Sequence, residues 1–121
     1  MAKKILIIDD DPIIVRYLIN IFQNNGYETA SASSGTKGIE EVVKEKPDLI
    51  TLDLQMPEQW GPRFYQQLRK DKTLRDIPII VVSGLSGGKY SIPKAAGYIG
   101  KPFDPDELLM MVKKVIGDPD A

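Results

Sequence analysis

The sequence contains no cysteine and no histidine among its 121 residues. These absences exclude disulfides, thiol chemistry, zinc-finger spacings and every catalytic triad that depends on an imidazole. An excess of charge of one sign is also lacking, since 16 basic and 17 acidic residues give a net charge of −1. The charge balance therefore gives no reason to expect direct binding to nucleic acid or to an anionic membrane.

Long hydrophobic runs are missing as well. No apolar segment approaches the roughly 18 residues of a membrane span, and the opening MAKKILIID lacks the features of a signal peptide. We therefore expect a cytoplasmic protein. With 42% hydrophobic residues the chain can build one core, so we expect a single domain over residues 1–121, with residues 118–121 as a frayed tail.

Short aliphatic runs alternate with helical patterns along most of the chain. Five runs predict strands: KKILIID, YETASA, DLITLD, IPIIVVS and GYIG. Strands that are apolar on both faces and alternate with helices favour an α/β fold, a doubly wound parallel sheet of five strands covered by helices on both sides. The common flavodoxin-like strand order is 2-1-3-4-5, and we expect it here.

One interval breaks this alternation. The segment SGLSGGKYSIPKAAG, from Ser83 to Gly97, stands where a fourth helix should connect two parallel strands. Each glycine costs a helix about 1 kcal/mol and an interior proline costs about 3 kcal/mol. We therefore expect the fourth helix to be shortened or missing.

Polar residues follow the strand ends at what should be one edge of the sheet: Asp9, Asp10, Asp11, Asp53, Ser83 and Lys101. Ligands of such sheets bind at the carboxyl ends of the strands, where the strand order reverses. Crowded carboxylates repel one another unless a cation lies among them, and a sparse set of carboxylates suits Mg²⁺. A lysine and a hydroxyl suit phosphoryl oxygens, so the sequence predicts magnesium-dependent phosphoryl chemistry at this edge.

The segments IIDDD, LITLDLQMP, PIIVVSG and GYIGKPFD, in this order, resemble the receiver domain of two-component response regulators, the CheY-like type. The resemblance covers nearly the whole chain. It implies a phosphorylatable switch rather than a metabolic enzyme. Such a switch takes a phosphoryl group from a histidine kinase or a histidine phosphotransfer protein, changes conformation for an unknown downstream protein target, and dephosphorylates itself.

The resemblance also implies the metal site. Asp53 would be the phosphorylated residue and a ligand of Mg²⁺. Asp10 would bind the metal directly, and Asp9 would bind it directly or through water. Gln55 would contribute its backbone carbonyl to the metal, and its side chain would lie where family members tune the hydrolysis of the phosphate.

The remaining roles concern the phosphoryl oxygens and the response to them. By the same resemblance, Ser83 and Lys101 would hold phosphoryl oxygens, the Lys101–Pro102 bond would be cis, and Tyr98 would be the aromatic residue that moves inward on activation. The chain departs from the family pattern in spacing, because Ser83 and Lys101 are only 18 positions apart. This shortening is similar to that of receivers in which a mobile loop replaces the fourth helix.

Two other functions stay open from the sequence. Phosphatases of the haloacid dehalogenase type also place an Asp-x-Asp pattern after the first strand, and Asp9 with Asp11 fits that pattern, although Pro12 stands where a small hydroxyl or aliphatic residue is expected. A receiver-like binding module that is never phosphorylated would share the fold without binding Mg²⁺. Asp11 is also in a typical position for a helix N-cap, directly before Pro12.

Overall fold

The computed structural model describes residues 2–54, 60–84, 92 and 94–120, with the backbone alone for residues 60–62. Nine elements follow one another in these ranges: β1 (Lys4–Ile8), α1 (Pro12–Asn24), β2 (Glu28–Ala32), α2 (Gly35–Glu45), β3 (Leu49–Leu52), α3 (Trp60–Lys70), β4 (Ile79–Ser83), β5 (Gly97–Gly100) and α4 (Pro105–Ile116). The strands form one sheet in the order β2-β1-β3-β4-β5, and every neighbouring pair is parallel. The predicted doubly wound, flavodoxin-like and CheY-like architecture is thereby confirmed.

Strand β1 shows how the sheet separates two apolar layers. Leu6 and Ile8 pack into the cluster that includes side chains of α2 and α3, whereas Ile5 and Ile7 pack into the cluster that includes side chains of α1 and α4. All four side chains are fully buried, and burial of each contributes about 1.5–3 kcal/mol. A continuous aliphatic run is therefore needed here, because a polar side chain on either face would enter a core.

Capping residues fix where α1 and α4 begin. The side chain of Asp11 accepts a hydrogen bond from the amide of Ile13 at 2.9 Å, and Pro12 follows as the first helical residue. At the other helix, Asp104 accepts from the amide of Asp106 at 2.9 Å. These caps anchor the short connections that leave β1 and β5, so the polar residues in those connections lie at defined positions.

The connection between β4 and β5 contains no helix among residues 84, 92 and 94–96, the part of it that the structure describes. Ile92 is fully buried in the cluster on the side of α2 and α3. The hydroxyl of Tyr98 donates a hydrogen bond to the carbonyl of Ile92. These observations agree with the predicted reduction of the fourth helix, while residues 85–91 and 93 lie outside the description.

The end of the described chain contacts its beginning. The amide of Lys3 donates to the carbonyl of Pro119 at 2.8 Å, and the hydroxyl of Tyr27 donates to the carbonyl of Gly117 at 2.9 Å. Fraying of residues 118–121 stays a prediction. It would require the bond from Lys3 to Pro119 to break. Within the described ranges, no helix has both the length and the apolar composition that crossing a membrane requires.

Candidate metal and phosphoryl site

Two aspartates directly follow the ends of the neighbouring strands β1 and β3. The amide of Asp9 donates to the carbonyl of Ala32 at 3.2 Å, and the amide of Asp53 donates to the carbonyl of Ile8 at 3.0 Å. These bonds extend the pairing of the strands by one residue, so both side chains leave the sheet at fixed places. Asp9 is only 2% exposed and Asp53 only 3% exposed, which means that packing holds them as well.

Asp10 completes an acidic cluster with these two residues. One carboxylate oxygen of each of Asp9, Asp10 and Asp53 lies within 4.8 Å of the others. Asp10 is exposed, so the cluster opens to solvent on its side. The structure thus brings together three of the four predicted metal ligands, and the fourth, Gln55, lies outside the described residues.

Lys101 reaches into this cluster from the end of β5. Its amide donates to the carbonyl of Ser83 at 3.1 Å, and its peptide bond to Pro102 is cis, as the resemblance implied. Its ammonium group donates to Asp9 Oδ2 at 2.8 Å and lies 3.6 Å from Asp53 Oδ2. A single ammonium therefore serves two buried carboxylates.

The electrostatic balance of the cluster favours a further cation. Burial raises the pKa of Asp9, and the nearby charge of Asp53 acts in the same direction. The hydrogen bonds that Asp9 accepts from Lys101 and from the amide of Asp11, at 2.8 and 2.9 Å, lower the pKa of Asp9 but do not cancel the effect of burial. Ionised Asp9 is therefore held at a free-energy cost that an added divalent cation would remove.

Ser83 is the last residue of β4 and is placed at the same edge of the sheet. It is 5% exposed, and it pairs with Gly100 in the register of β4 and β5. Since Lys101 follows Gly100, the predicted hydroxyl and the predicted ammonium come from adjacent strand ends. All the predicted polar residues in the described ranges thus lie at the carboxyl edge of the sheet.

Sequence reasoning missed two features beside this site. A pocket of about 450 Å³ adjoins Asp9 and Asp10, with Arg16 of α1 and Ser33 after β2 among its lining residues. In addition, the buried hydroxyl of Thr51, two residues before Asp53 on the same side of β3, has no hydrogen-bond partner among the described residues. Neither feature has a local sequence signal, because the pocket combines separate elements and a threonine is common in strands.

Comparisons with known proteins place this arrangement in context. Residues 5–113 match the family model described as the response regulator receiver domain. The whole chain is 35% identical to the protein Rrf1 of Nitratidesulfovibrio vulgaris, 91% of which is covered. The polar-differentiation response regulator DivK of Brucella ovis is 30% identical, with 98% of this chain and 99% of DivK covered. The solved structure of the chemotaxis protein CheY4 of Vibrio cholerae is similar with a TM-score of 0.85 at 27% identity, over 95% of this chain and 99% of that one.

The matched family consists of signalling domains, not of metabolic enzymes. Its members accept a phosphoryl group from histidine kinases, pass the signal to downstream targets, and bind Mg²⁺ at an acidic site. In this chain the acidic site corresponds to the cluster of Asp9, Asp10 and Asp53.

Proposed function

We propose, because the chain belongs to the response regulator receiver domain family, that it is a switch in which Asp53 accepts a phosphoryl group from a histidine kinase or a histidine phosphotransfer protein. One observation carries the proposal: the ammonium of Lys101 lies 2.8 Å from Asp9 and 3.6 Å from Asp53. A carboxylate nucleophile, a cation for phosphoryl oxygens and an acidic cluster are therefore adjacent. An acyl phosphate is the product that such a site can form.

The residues present fit Mg²⁺. The acidic cluster offers hard oxygen ligands within 4.8 Å of one another, and the ammonium of Lys101 balances only one of its three carboxylates. We assign Asp9, Asp10 and Asp53 as ligands of the metal, together with the carbonyl of Gln55 on the strength of the family resemblance. When bound, Mg²⁺ would supply the positive charge that offsets the carboxylates and the incoming phosphoryl oxygens.

The phosphoryl transfer uses Asp53 as the nucleophile. A carboxylate oxygen of Asp53 attacks the phosphorus of the phosphohistidine, and an O–P bond forms as the P–N bond breaks. The electron pair of the broken bond leaves with the imidazole nitrogen of the donor. Lys101 then contacts one phosphoryl oxygen and the hydroxyl of Ser83 donates to another, so both residues stabilise the phosphorylated state.

Dephosphorylation restores the starting chain. The oxygen of a water molecule attacks the phosphorus, the bond between phosphorus and the Asp53 oxygen breaks, and inorganic phosphate leaves. The free carboxylate of Asp53 can then pair again with Lys101. In this scheme the chain catalyses its own phosphorylation and dephosphorylation.

The conformational change that follows phosphorylation involves residues of β4 and β5. As Ser83 engages the phosphoryl group, Tyr98 gives up its hydrogen bond to the carbonyl of Ile92 and moves inward. The loss of that bond changes the surface before β5, where we place the contact with the downstream target. We assign this switch to a single domain that works in the cytoplasm, where histidine kinases obtain their phosphoryl groups from ATP.

The haloacid dehalogenase alternative is less well supported. It requires Asp9 and Asp11 to act as a pair, but the exposed side chain of Asp11 accepts from the amide of Ile13 and caps α1. The acidic cluster includes Asp53 instead of Asp11. Unlike that alternative, the proposed switch predicts that phosphorylation depends on Asp53 and that small phosphomonoesters are not turned over.

The intact mass of the protein after incubation with Mg²⁺ and acetyl phosphate tests the proposal. We expect an adduct of about 80 Da, corresponding to one phosphoryl group, which base removes because acyl phosphates are labile. The adduct should be absent in Asp53→Ala and in reactions that contain EDTA. Asp120→Ala, a substitution of an exposed aspartate at the other end of the chain, should leave the adduct unchanged.

Two results would contradict the proposal. An adduct of the same mass in Asp53→Ala would place the phosphoryl group on another residue. No adduct in the wild-type chain, combined with no response of its stability to Mg²⁺, would favour the binding module that is never phosphorylated.

A further inference from the structure

A pocket with several charged lining residues lies at the opposite edge of the sheet from the acidic cluster. Its volume is about 320 Å³, and residues that precede or begin β4 and β5 form part of its wall. Three cationic side chains line it: Arg69, Arg75 and Lys94. We call it the basic pocket.

The three cations come from separate parts of the chain. Arg69 lies in the last turn of α3, Arg75 lies in the connection from α3 to β4, and Lys94 lies in the connection from β4 to β5. The ion pairs found within the described residues involve other side chains, so no such pair neutralises any of the three. One carboxylate, that of Asp76, also lines the pocket, which leaves an excess of positive charge.

This excess does not follow from composition, because the whole chain has a net charge of −1. Compensation of a helix dipole explains only part of it. A basic residue in the last turn of a helix is favourable, and Arg69 has that position. Arg75 and Lys94, in contrast, belong to no helix, so that explanation does not apply to them.

One guanidinium of the pocket lies beside an aromatic ring. The guanidinium carbon of Arg69 lies 5.7 Å from the centre of the Tyr65 ring, and Tyr65 packs against the buried cluster on that side of the sheet. A cation–π contact of this kind is weak at an exposed side chain, and it favours placement of the guanidinium near the ring beside the pocket. Arginine presents paired N–H donors that match two oxygens of a phosphate group.

We propose that the basic pocket binds a small polyanion that carries at least two linked phosphate groups, the chemistry shared by inorganic polyphosphate and nucleoside diphosphates. Two arginines and a lysine supply enough donors for more than one phosphate group. The concave shape and the volume of about 320 Å³ are at the lower end of the range of small-molecule sites, which favours a small ligand over the flat surface of a macromolecule.

Isothermal titration calorimetry with tripolyphosphate, in EDTA and without Mg²⁺, tests the proposal. The metal-free condition prevents phosphate from binding through Mg²⁺ at the acidic cluster, so the result does not depend on whether Asp53 is phosphorylated. We expect saturable binding with one site, and we expect the affinity to fall as the salt concentration rises from about 50 to about 200 mM. Absence of binding at up to about 1 mM tripolyphosphate would overturn the proposal.

Charge-removing variants locate the site. We expect Arg69→Gln and Arg75→Gln each to weaken binding about tenfold, the effect of losing one charged hydrogen bond. Lys70→Gln is the matched control, because Lys70 follows Arg69 in the same helical turn but does not line the pocket. If Lys70→Gln weakens binding as much as Arg75→Gln, the anion binds a diffuse basic surface and the proposal is wrong.

A comparison of ligands separates the two sources of the phosphate groups. ADP that binds more tightly than pyrophosphate would support a nucleotide, and equal affinities would support inorganic polyphosphate. Either result agrees with the basic pocket. Tighter binding of a polyglutamate peptide than of tripolyphosphate would instead indicate an acidic protein partner and would overturn the small-ligand proposal.

Discussion

Ionisation of the Asp9 carboxyl group is less favourable in the folded chain than in the unfolded chain. Burial raises its pKa relative to the ordinary value, so the folded state holds the proton of Asp9 more tightly than the unfolded state does. Ionisation of Asp9 therefore subtracts stability once the pH exceeds the unfolded pKa. Without Mg²⁺, we expect Asp9→Asn to increase the free energy of unfolding at pH 7 by on the order of 1 kcal/mol, measured by urea denaturation in EDTA.

The same measurement has a pH control and a metal control. As the pH falls through the folded pKa of Asp9, the wild-type carboxyl becomes neutral too, so the stability advantage of Asp9→Asn over the wild type should shrink.

Saturating Mg²⁺ should make the wild type more stable than Asp9→Asn, because the metal stabilises the folded wild type by binding to it. Asp10→Asn removes an exposed ligand. Mg²⁺ should therefore no longer stabilise this variant, and in EDTA its free energy of unfolding should not exceed that of the wild type. An Asp9→Asn chain that is less stable than wild type in EDTA at pH 7 would contradict this account.

At the scale of elements, α2 approaches β1 and α3 through a glycine. A Cβ atom added at Gly38 would lie 2.9 Å from Cδ1 of Ile8 and 3.2 Å from Cε1 of Phe64. We expect Gly38→Ala to reduce the free energy of unfolding by about 1–2 kcal/mol, because overpacking outweighs the gain in helix propensity. Urea denaturation gives the value.

A second substitution tests the cause of that loss. Ile8→Val removes the Cδ1 atom that the methyl group introduced by Gly38→Ala would meet, at a cost of about 1 kcal/mol by itself. In the double variant, the loss of unfolding free energy should be smaller than the sum of the losses in the two single variants, because the clash is relieved. Strict additivity would mean that Gly38 matters for another reason.

Strands β1, β3 and β4 could be predicted because each is an almost continuous aliphatic run, and a run such as Ile5–Ile8 has to bury both faces. The edge on which the polar residues lie could also be predicted, because the carboxyl ends of parallel strands meet there. The double contact of Lys101 with Asp9 and Asp53 could not, since it depends on side-chain reach across three strand ends. The basic pocket could not be predicted either, because its cations are separated in sequence and each alone is typical of a solvated surface residue.

At the scale of the whole molecule, the two ends of the described chain stabilise each other. The bond from the amide of Lys3 to the carbonyl of Pro119 and the bond from Tyr27 to the carbonyl of Gly117 join the start of the sheet to the segment after α4. We expect deletion of residues 118–121 to lower the free energy of unfolding by about 1 kcal/mol. We also expect faster hydrogen exchange at the amide of Lys3, measured by NMR.

The control for this deletion is Asp118→Asn, which keeps the backbone contacts and changes only an exposed side chain. In this variant, the amide hydrogen of Lys3 should exchange at the same rate as in the wild type. If the deletion changes neither the stability nor the exchange of Lys3, the contact does not persist in solution and the fraying predicted from the sequence is supported.

The acidic cluster and the basic pocket lie at opposite edges of one parallel sheet. Without bound Mg²⁺, the two sites therefore contribute a component of the electric dipole moment that is directed along the strands, although the net charge of the chain is −1. A diffusing partner with a charged surface would experience a torque that turns one edge of the sheet toward it before contact. The rate at which a kinase meets the correct edge should therefore depend on ionic strength even for this nearly neutral chain.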